Sequence, residues 1–204
     1  MPASLDKFVP LIDGQITGCP DVMARDAARD AAIEFCNRTR LISLTTEVDV
    51  LQGESRTLLF PPDGEVFVVE HLYRDKTPLT RLSRHDFELD RLHIQDGAPW
   101  AYYVDGDRQM MLGPTPTANE TLIGHFIIRP SDTASSVPDR LWTDWRQGIV
   151  AGARAFIRNR HLPWSDPALE AKDRDEFEQA IAAANLDRAQ GGTRRPLRAR
   201  GYWF

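Results

Sequence analysis

Cysteine is nearly absent from this 204-residue chain: Cys19 and Cys36 are the only two, and their spacing matches no metal-binding pattern. Such sparse usage fits a reducing cytoplasm, where both thiols stay free and serve packing. Long apolar runs are missing too; no stretch approaches the roughly 20 apolar residues of a membrane-spanning helix, so no membrane partner is expected. The opening, MPASLDKFVPLIDG, has no basic start, apolar run or cleavage signature, and no secretion signal is expected. Lysine is scarce: apart from Lys7, Lys76 and Lys172, every basic residue is arginine. The planar guanidinium suits interfaces and carboxylate pairing better than an ammonium does, which points toward protein partners. Motifs for catalysis are absent as well. His71, His85, His93, His125 and His161 are scattered, with no pair at the i, i+4 spacing of a helical metal site. No phosphate-binding loop, dinucleotide fingerprint or nucleophile elbow occurs. Asp105 and Asp107 lie close enough to suggest a cation, but they flank the turn glycine of a predicted hairpin, where Asp-Gly serves the backbone. The reading is of a chain with no catalytic, cofactor-binding or metal site, and not of an enzyme.

What is present is a globular composition, with a hydrophobic fraction of 42% and a charged fraction of 27%. The net charge of −5 argues against whole-chain binding to nucleic acid by counterion release. Along the chain the pattern runs from helices to strands and back to helices. Residues 5–12 form a short amphipathic stretch. In CPDVMARDAARDAAIEFCNRTR, Pro20 suits the first helical position and Asp21 the positive end of the helix dipole. Ala24, Ala28, Ala31, Ala32 and Phe35 recur at helical spacing, and an alanine stripe lets a second helix approach closely.

The period then changes. TEVDVL alternates, RTLLF is a short apolar run, and EVFVVEHLYRD is largely β-branched and aromatic. Pro61, Pro62, Asp63 and Gly64 break two of these runs, and SRHDFELD reads as one helical turn. WAYYV and RQMML flank Asp105-Gly106-Asp107 as a hairpin, and TLIGHFIIRP is a further strand ended by Pro130. Five or six strands joined by short turns imply a mostly antiparallel arrangement.

The helical period returns in DRLWTDWRQGIVAGARAFIRNRH, where Leu141, Trp145, Ile149, Ala153, Phe156 and Ile157 form one stripe. Trp142 falls beside that stripe, which leaves either packing or a neighbouring chain as its partner. Gly148 and Gly152, four apart, suit close packing inside a bundle. Asp166 is an N-cap with Pro167 behind it, and the last helix carries Leu169, Phe177, Ala180, Ile181 and Ala184 before Gly191-Gly192 stops it. The expected fold is α+β: a helical bundle of the N-terminal helix and two long C-terminal helices, an inserted mostly antiparallel β-subdomain, and an extended C-terminal tail. The corresponding boundaries are 1–45 and 137–190 for the bundle, 46–136 for the insertion and 191–204 for the tail.

Two stretches, GCPDVMARDAARDAAIEFCNRT and GIVAGARAFIRNRHLPWSDPALEAKDRDEFEQAIAAAN, resemble the head-to-tail adaptor (connector) proteins of tailed bacteriophages. The type is the one similar to the tubular tail protein under the portal of short-tailed phages. The similarity lies in a Gly-Cys-Pro lead-in with Glu-Phe-Cys near the helix end, and in a small-residue helix, a Pro-Trp-x-Asp-Pro corner and a second helix with a central Phe. The RNRH run before the corner departs from a shorter or more apolar lead-in. The resemblance implies a non-catalytic ring of twelve copies beneath a portal, continuing the DNA channel and seating a tail nozzle or tail tube protein. It places the protein in the virion neck, after assembly in the host cytoplasm.

Within that frame, the glycine pair lets Arg194, Arg195, Arg198, Arg200, Tyr202, Trp203 and Phe204 dock on the portal or between neighbouring subunits, since Tyr, Trp and Arg dominate interface hot spots. Glu88, Asp90, Asp105 and Asp107 form a mostly acidic region expected to face the tail or the channel, where carboxylates repel DNA phosphates. The alternative is a small nucleic-acid-binding protein that uses the same arm, arginines on phosphates and aromatics on bases.

Overall fold

The structure, a computed structural model, describes residues 2–59, 64–105, 109–160 and 163–190. In chain order the elements are β1 (Ala3–Ser4), α1 (Val9–Asp13), α2 (Asp21–Thr39), β2 (Ser43–Val50), β3 (Arg56–Leu58), β4 (Glu65–Arg74), β5 (Thr77–Pro78) and β6 (Thr80–Arg81). There follow α3 (Arg84–Leu89), β7 (Ala101–Asp105), β8 (Gln109–Gly113), β9 (Glu120–Arg129), β10 (Ser136–Val137), α4 (Asp139–Thr143), α5 (Arg146–Arg158) and α6 (Pro167–Ala189). Short 3-10 turns at Leu5–Lys7 and Leu92–Ile94 complete the set. The expected α+β class holds, with six α-helices and antiparallel-dominated sheets among the described residues. Two compact units emerge, Met1–Leu41 with Pro130–Phe204, and Ile42–Arg129.

In the first unit α2, α5 and α6 pack together. The alanine face of α2 (Ala24, Ala28, Ala31 and Ala32 among it) is buried, and so is Phe35. On α5, a Cβ added at Gly148 would lie 2.4 Å from the Ala180 Cβ, and one at Gly152 would lie 2.8 Å from the Phe177 ring. Both glycines therefore mark helix contacts too close for any side chain, as their spacing suggests. The Phe35 ring tilts against both Trp145 (5.6 Å) and Phe177 (6.3 Å). Cys19 and Cys36 are free and buried, and burial pushes the Cys19 thiol up in pKa.

Local capping follows sequence chemistry at α6, where the Asp166 carboxylate accepts from the Ala168 and Leu169 N–H groups at 3.0 Å each. It departs at α2: Pro20 is the extended N-cap, at φ −62° and ψ 136°, and Asp21 is the first helical residue. The stretch expected as one helix from residue 139 is two, because Trp145, at φ −123° and ψ 7°, leaves helical geometry and becomes the N-cap of α5. Leu169, expected on the apolar stripe of α6, is 43% exposed. The buried stripe instead runs Asp173, Phe177, Ile181, Ala184.

The second unit contains two four-stranded sheets, ordered β2-β9-β4-β5 and β3-β8-β7-β6. Each pairing is antiparallel except β6 with β7. Strand β2 pairs with β9 without interruption from Ser43↔Ile127 to Val50↔Glu120, whereas β4 is bulged near Phe67 and Glu70. Buried Val48, Val50, Leu72, Leu122 and Phe126 come from the first sheet, and Tyr102, Met110 and Leu112 from the second. The expected β7–β8 hairpin forms, closing at Asp105↔Gln109, and SRHDFELD supplies α3. A small cluster of Phe87, Leu92, Ala101 and Tyr103 fixes α3 against β7, with the Phe87 and Tyr103 rings edge-on at 4.8 Å.

Candidate protein-docking surfaces

The short helix α4 brings an aromatic ring and cations together at the surface of the first unit. The Trp142 ring meets Phe8 edge-on, with centroids 4.9 Å apart, and is only partly buried. Lys7 Nζ and the Arg146 guanidinium each stand 5.7 Å from its centroid, so both make a cation–π contact with it. Neither cation has a carboxylate partner among the described residues, so both remain available to a negatively charged visitor. Beside them opens a groove of about 500 Å³, in which Leu11, Trp142 and Val150 give apolar wall and Gln15, Arg146 and Glu176 give polar rim. Sequence reasoning singled out Trp142 but missed Lys7 and Arg146. Arg146 meets Trp142 across the break between α4 and α5, and Lys7 comes from a distant turn, so neither contact follows from helical spacing alone.

Beneath this surface lies a buried charge network that sequence reasoning also missed. Arg154 and Arg158 on α5 are 7% and 6% exposed, and both address Asp173 on α6, itself 3% exposed. Arg154 Nε donates to Asp173 Oδ1 at 3.0 Å and its second arm reaches Glu176 at 3.2 Å. Arg158 pairs with the other Asp173 oxygen and also donates to the Gln15 carbonyl at 3.3 Å. Arginine also bridges α2 to α6 through Arg38–Glu178 at 2.5 Å, and α4 to α6 through Arg140–Asp187 at 2.6 Å. The arginine bias thus serves the fold of this unit before any partner. It does so because a guanidinium can satisfy two acceptors from one fixed plane.

In the second unit the acidic residues are only partly brought together. Glu88 on α3 is paired with Arg84 at 2.8 Å, and its hydrogen bond is the main cause that holds the Arg84 guanidinium up in pKa. Asp105, at the end of β7, adds to that effect through its charge. Among the described members of the four, Arg84 is therefore paired with Glu88 alone, with Asp105 acting on it only through its charge. Asp90 caps the end of α3, where its carbonyl accepts from Gln95 Nε2 at 2.9 Å. Asp107 lies outside the described residues. Even so, residues 42–129 carry 14 acidic against 8 basic side chains, so the acidity of the chain resides here. The arm residues Arg194, Arg195, Arg198, Arg200, Tyr202, Trp203 and Phe204 also lie outside the described residues.

Trp145 and Trp164 serve packing and local order: Trp164 Nε1 donates to the Thr17 carbonyl at 3.2 Å, and Trp145 lies against Phe35. No group of three or more metal-ligating side chains converges among the described residues, and no described helix is long and apolar enough to cross a membrane. The arrangement offers surfaces for protein contact: exposed cations over an aromatic ring, and an acidic β-unit. A family model described as the SU10 adaptor protein matches residues 8–200, which spans both units. No curated protein matches the chain.

Proposed function

The chain belongs to the SU10 adaptor protein family, which makes it a structural head-to-tail adaptor of a bacteriophage, and from that premise we propose that twelve copies form a ring below the portal. The ring extends the DNA channel and seats the tail nozzle or tail tube protein. The observation that carries this reading is the family match over residues 8–200, which leaves neither unit outside the adaptor pattern.

Physical features support it. A closed ring needs one face of a subunit to meet a different face of the next. This chain offers unlike surfaces, the Lys7–Trp142–Arg146 face in one unit and an acid-rich surface in the other. Complementary charge of this kind sets register and speeds encounter more than it adds affinity. A lumen with excess carboxylates repels phosphate, so DNA passes without sequence-specific binding. The arm at 194–204 docks on the portal or between neighbouring subunits. Each aromatic it buries contributes on the order of 2 kcal/mol, and the ring multiplies that through avidity.

The test is sedimentation velocity of the chain with the portal ring encoded beside it, full length against a version ending at Gln190. Full length is expected to co-sediment as one large complex and the shortened chain to remain separate. Equal binding by both would overturn the role of the arm and keep the adaptor ring. Binding by neither would overturn the ring below the portal.

A further inference from the structure

Strand β2 has an open edge. It pairs with β9 over all of Ser43–Val50, and no other described strand lies on its far side. Unpaired edge groups are a template for another strand, and proteins blunt such edges with proline, lysine, bulges or very short strands. SLTTEVDV has no proline, lysine or bulge, and its register against β9 is unbroken; the charges it carries, Glu47 and Asp49, repel an acidic strand and leave the edge open to a basic one. Its exposed face carries Glu47 and Asp49, two residues apart, with Thr45 and Ser43 beyond them. No cation pairs with either carboxylate among the described residues; Asp49 accepts only from the Thr121 hydroxyl, at 3.0 Å. The opposite face is apolar at Val48 and Val50, both buried, and half-buried at Leu44.

The residues that follow Pro196, LRARGYWF, have the complementary pattern at the same period. Arg198, Arg200, Tyr202 and Phe204 fall on one face of an extended segment, and Leu197, Ala199 and Trp203 on the other. Laid antiparallel to β2, Arg198 comes opposite Asp49 and Arg200 opposite Glu47. In the same register Tyr202 stands opposite Thr45, while Leu197, Ala199 and Trp203 stand opposite Val50, Val48 and Leu44. Pro196, which has no N–H to give, falls just outside the paired stretch.

We propose that residues 197–204 of one copy add as an antiparallel strand to the outer edge of β2 in a second copy. The proposal rests on the ring reading and names the surface on the neighbouring subunit that receives the arm. Main-chain hydrogen bonds supply the affinity, and the two cross-strand ion pairs set the register.

The experiment mixes two full-length chains on the portal ring, one carrying Thr45→Cys and the other Tyr202→Cys, and bridges them with a short bis-maleimide. Because each chain has one engineered thiol, a bridge between positions 45 and 202 can form only between copies; parent chains report any reaction at the buried Cys19 and Cys36. A covalent dimer on a denaturing gel is expected. Adding Glu47→Arg and Asp49→Arg to the first chain is expected to cut its yield about tenfold, and Arg198→Glu with Arg200→Glu in the second chain to restore it. A portal complex that forms without the dimer, or a bridge to the portal instead, overturns this inference and leaves the ring standing. No complex and no dimer overturn both. A dimer whose yield ignores the charge reversals overturns the register.

Discussion

Asp173 occupies a place on α6 where helical periodicity asks for an apolar side chain, and its environment shows why an acid is tolerated. Two nearly buried guanidiniums converge on it, so each charge is desolvated but none is alone. Removing one member of such a set leaves the others uncompensated, a cost of about 3–5 kcal/mol, whereas replacing the whole set by apolar groups is often neutral or better. Asp173→Ala is therefore expected to lower unfolding free energy by about that amount in denaturant titration, and Arg154→Met, Arg158→Met, Asp173→Leu together to recover most of it. Periodicity could find Phe177, Ile181 and Ala184 but not Asp173, because a rule built on hydrophobicity discards the carboxylate that a distant helix neutralises. The glycines of α5 were legible, since small residues four apart on a helix have few other uses. Gly148→Ala raises helix propensity by about 1 kcal/mol, yet the new Cβ falls 2.4 Å from the Ala180 Cβ. Overpacking of this kind costs about 1–3 kcal/mol, so the variant is expected to melt lower than the parent in a calorimetric scan.

At the scale of elements, the clasp between α2 and α6 gives a pH signature. The hydrogen bond from Arg38 holds the Glu178 carboxyl below its usual value of 4.5, against a smaller opposing effect of burial. A carboxyl with a depressed folded pKa stabilises above its unfolded value, and that contribution is lost as pH falls through the folded value. Stability is thus expected to drop below about pH 4.5 in part through this pair, modestly because both side chains are well exposed. Arg38→Met should flatten the acid limb of a stability–pH profile measured by urea unfolding, and an unchanged limb would show that the pair contributes nothing to acid sensitivity. Strands β2, β4, β7, β8 and β9 and the α3 turn could be read from alternation and turn chemistry, because each carries its own local signal. The break between α4 and α5 could not. Nothing in LWTDWRQ forbids a continuous helix; Trp145 leaves helical geometry where its ring packs on Phe35, a tertiary demand that overrides propensity. The parallel contact of β6 with β7 was hidden for a like reason, since a two-residue strand has too few positions to show a period.

For the whole molecule, the separation of charge matters more than its sum. The net value of −5 hides an acid-rich segment 42–129 and a basic arm at 194–204. If the arm serves protein contact, binding of the full chain to a short DNA duplex should be weak and nearly flat with salt, as read by fluorescence anisotropy. Tight binding that collapses steeply between low and physiological salt would favour the nucleic-acid arm instead. The adaptor family was legible from the α2 region and the Pro-Trp-x-Asp-Pro corner. The docking surfaces were less so, because the Lys7–Trp142–Arg146 face draws on segments far apart in sequence. The measurement that bears most directly on the ring is the mass of the portal complex by mass photometry. The predicted result is a single added mass equal to twelve chains of 23.1 kDa, with no partly filled species at saturation. A portal whose mass stays unchanged with the chain in excess would contradict it.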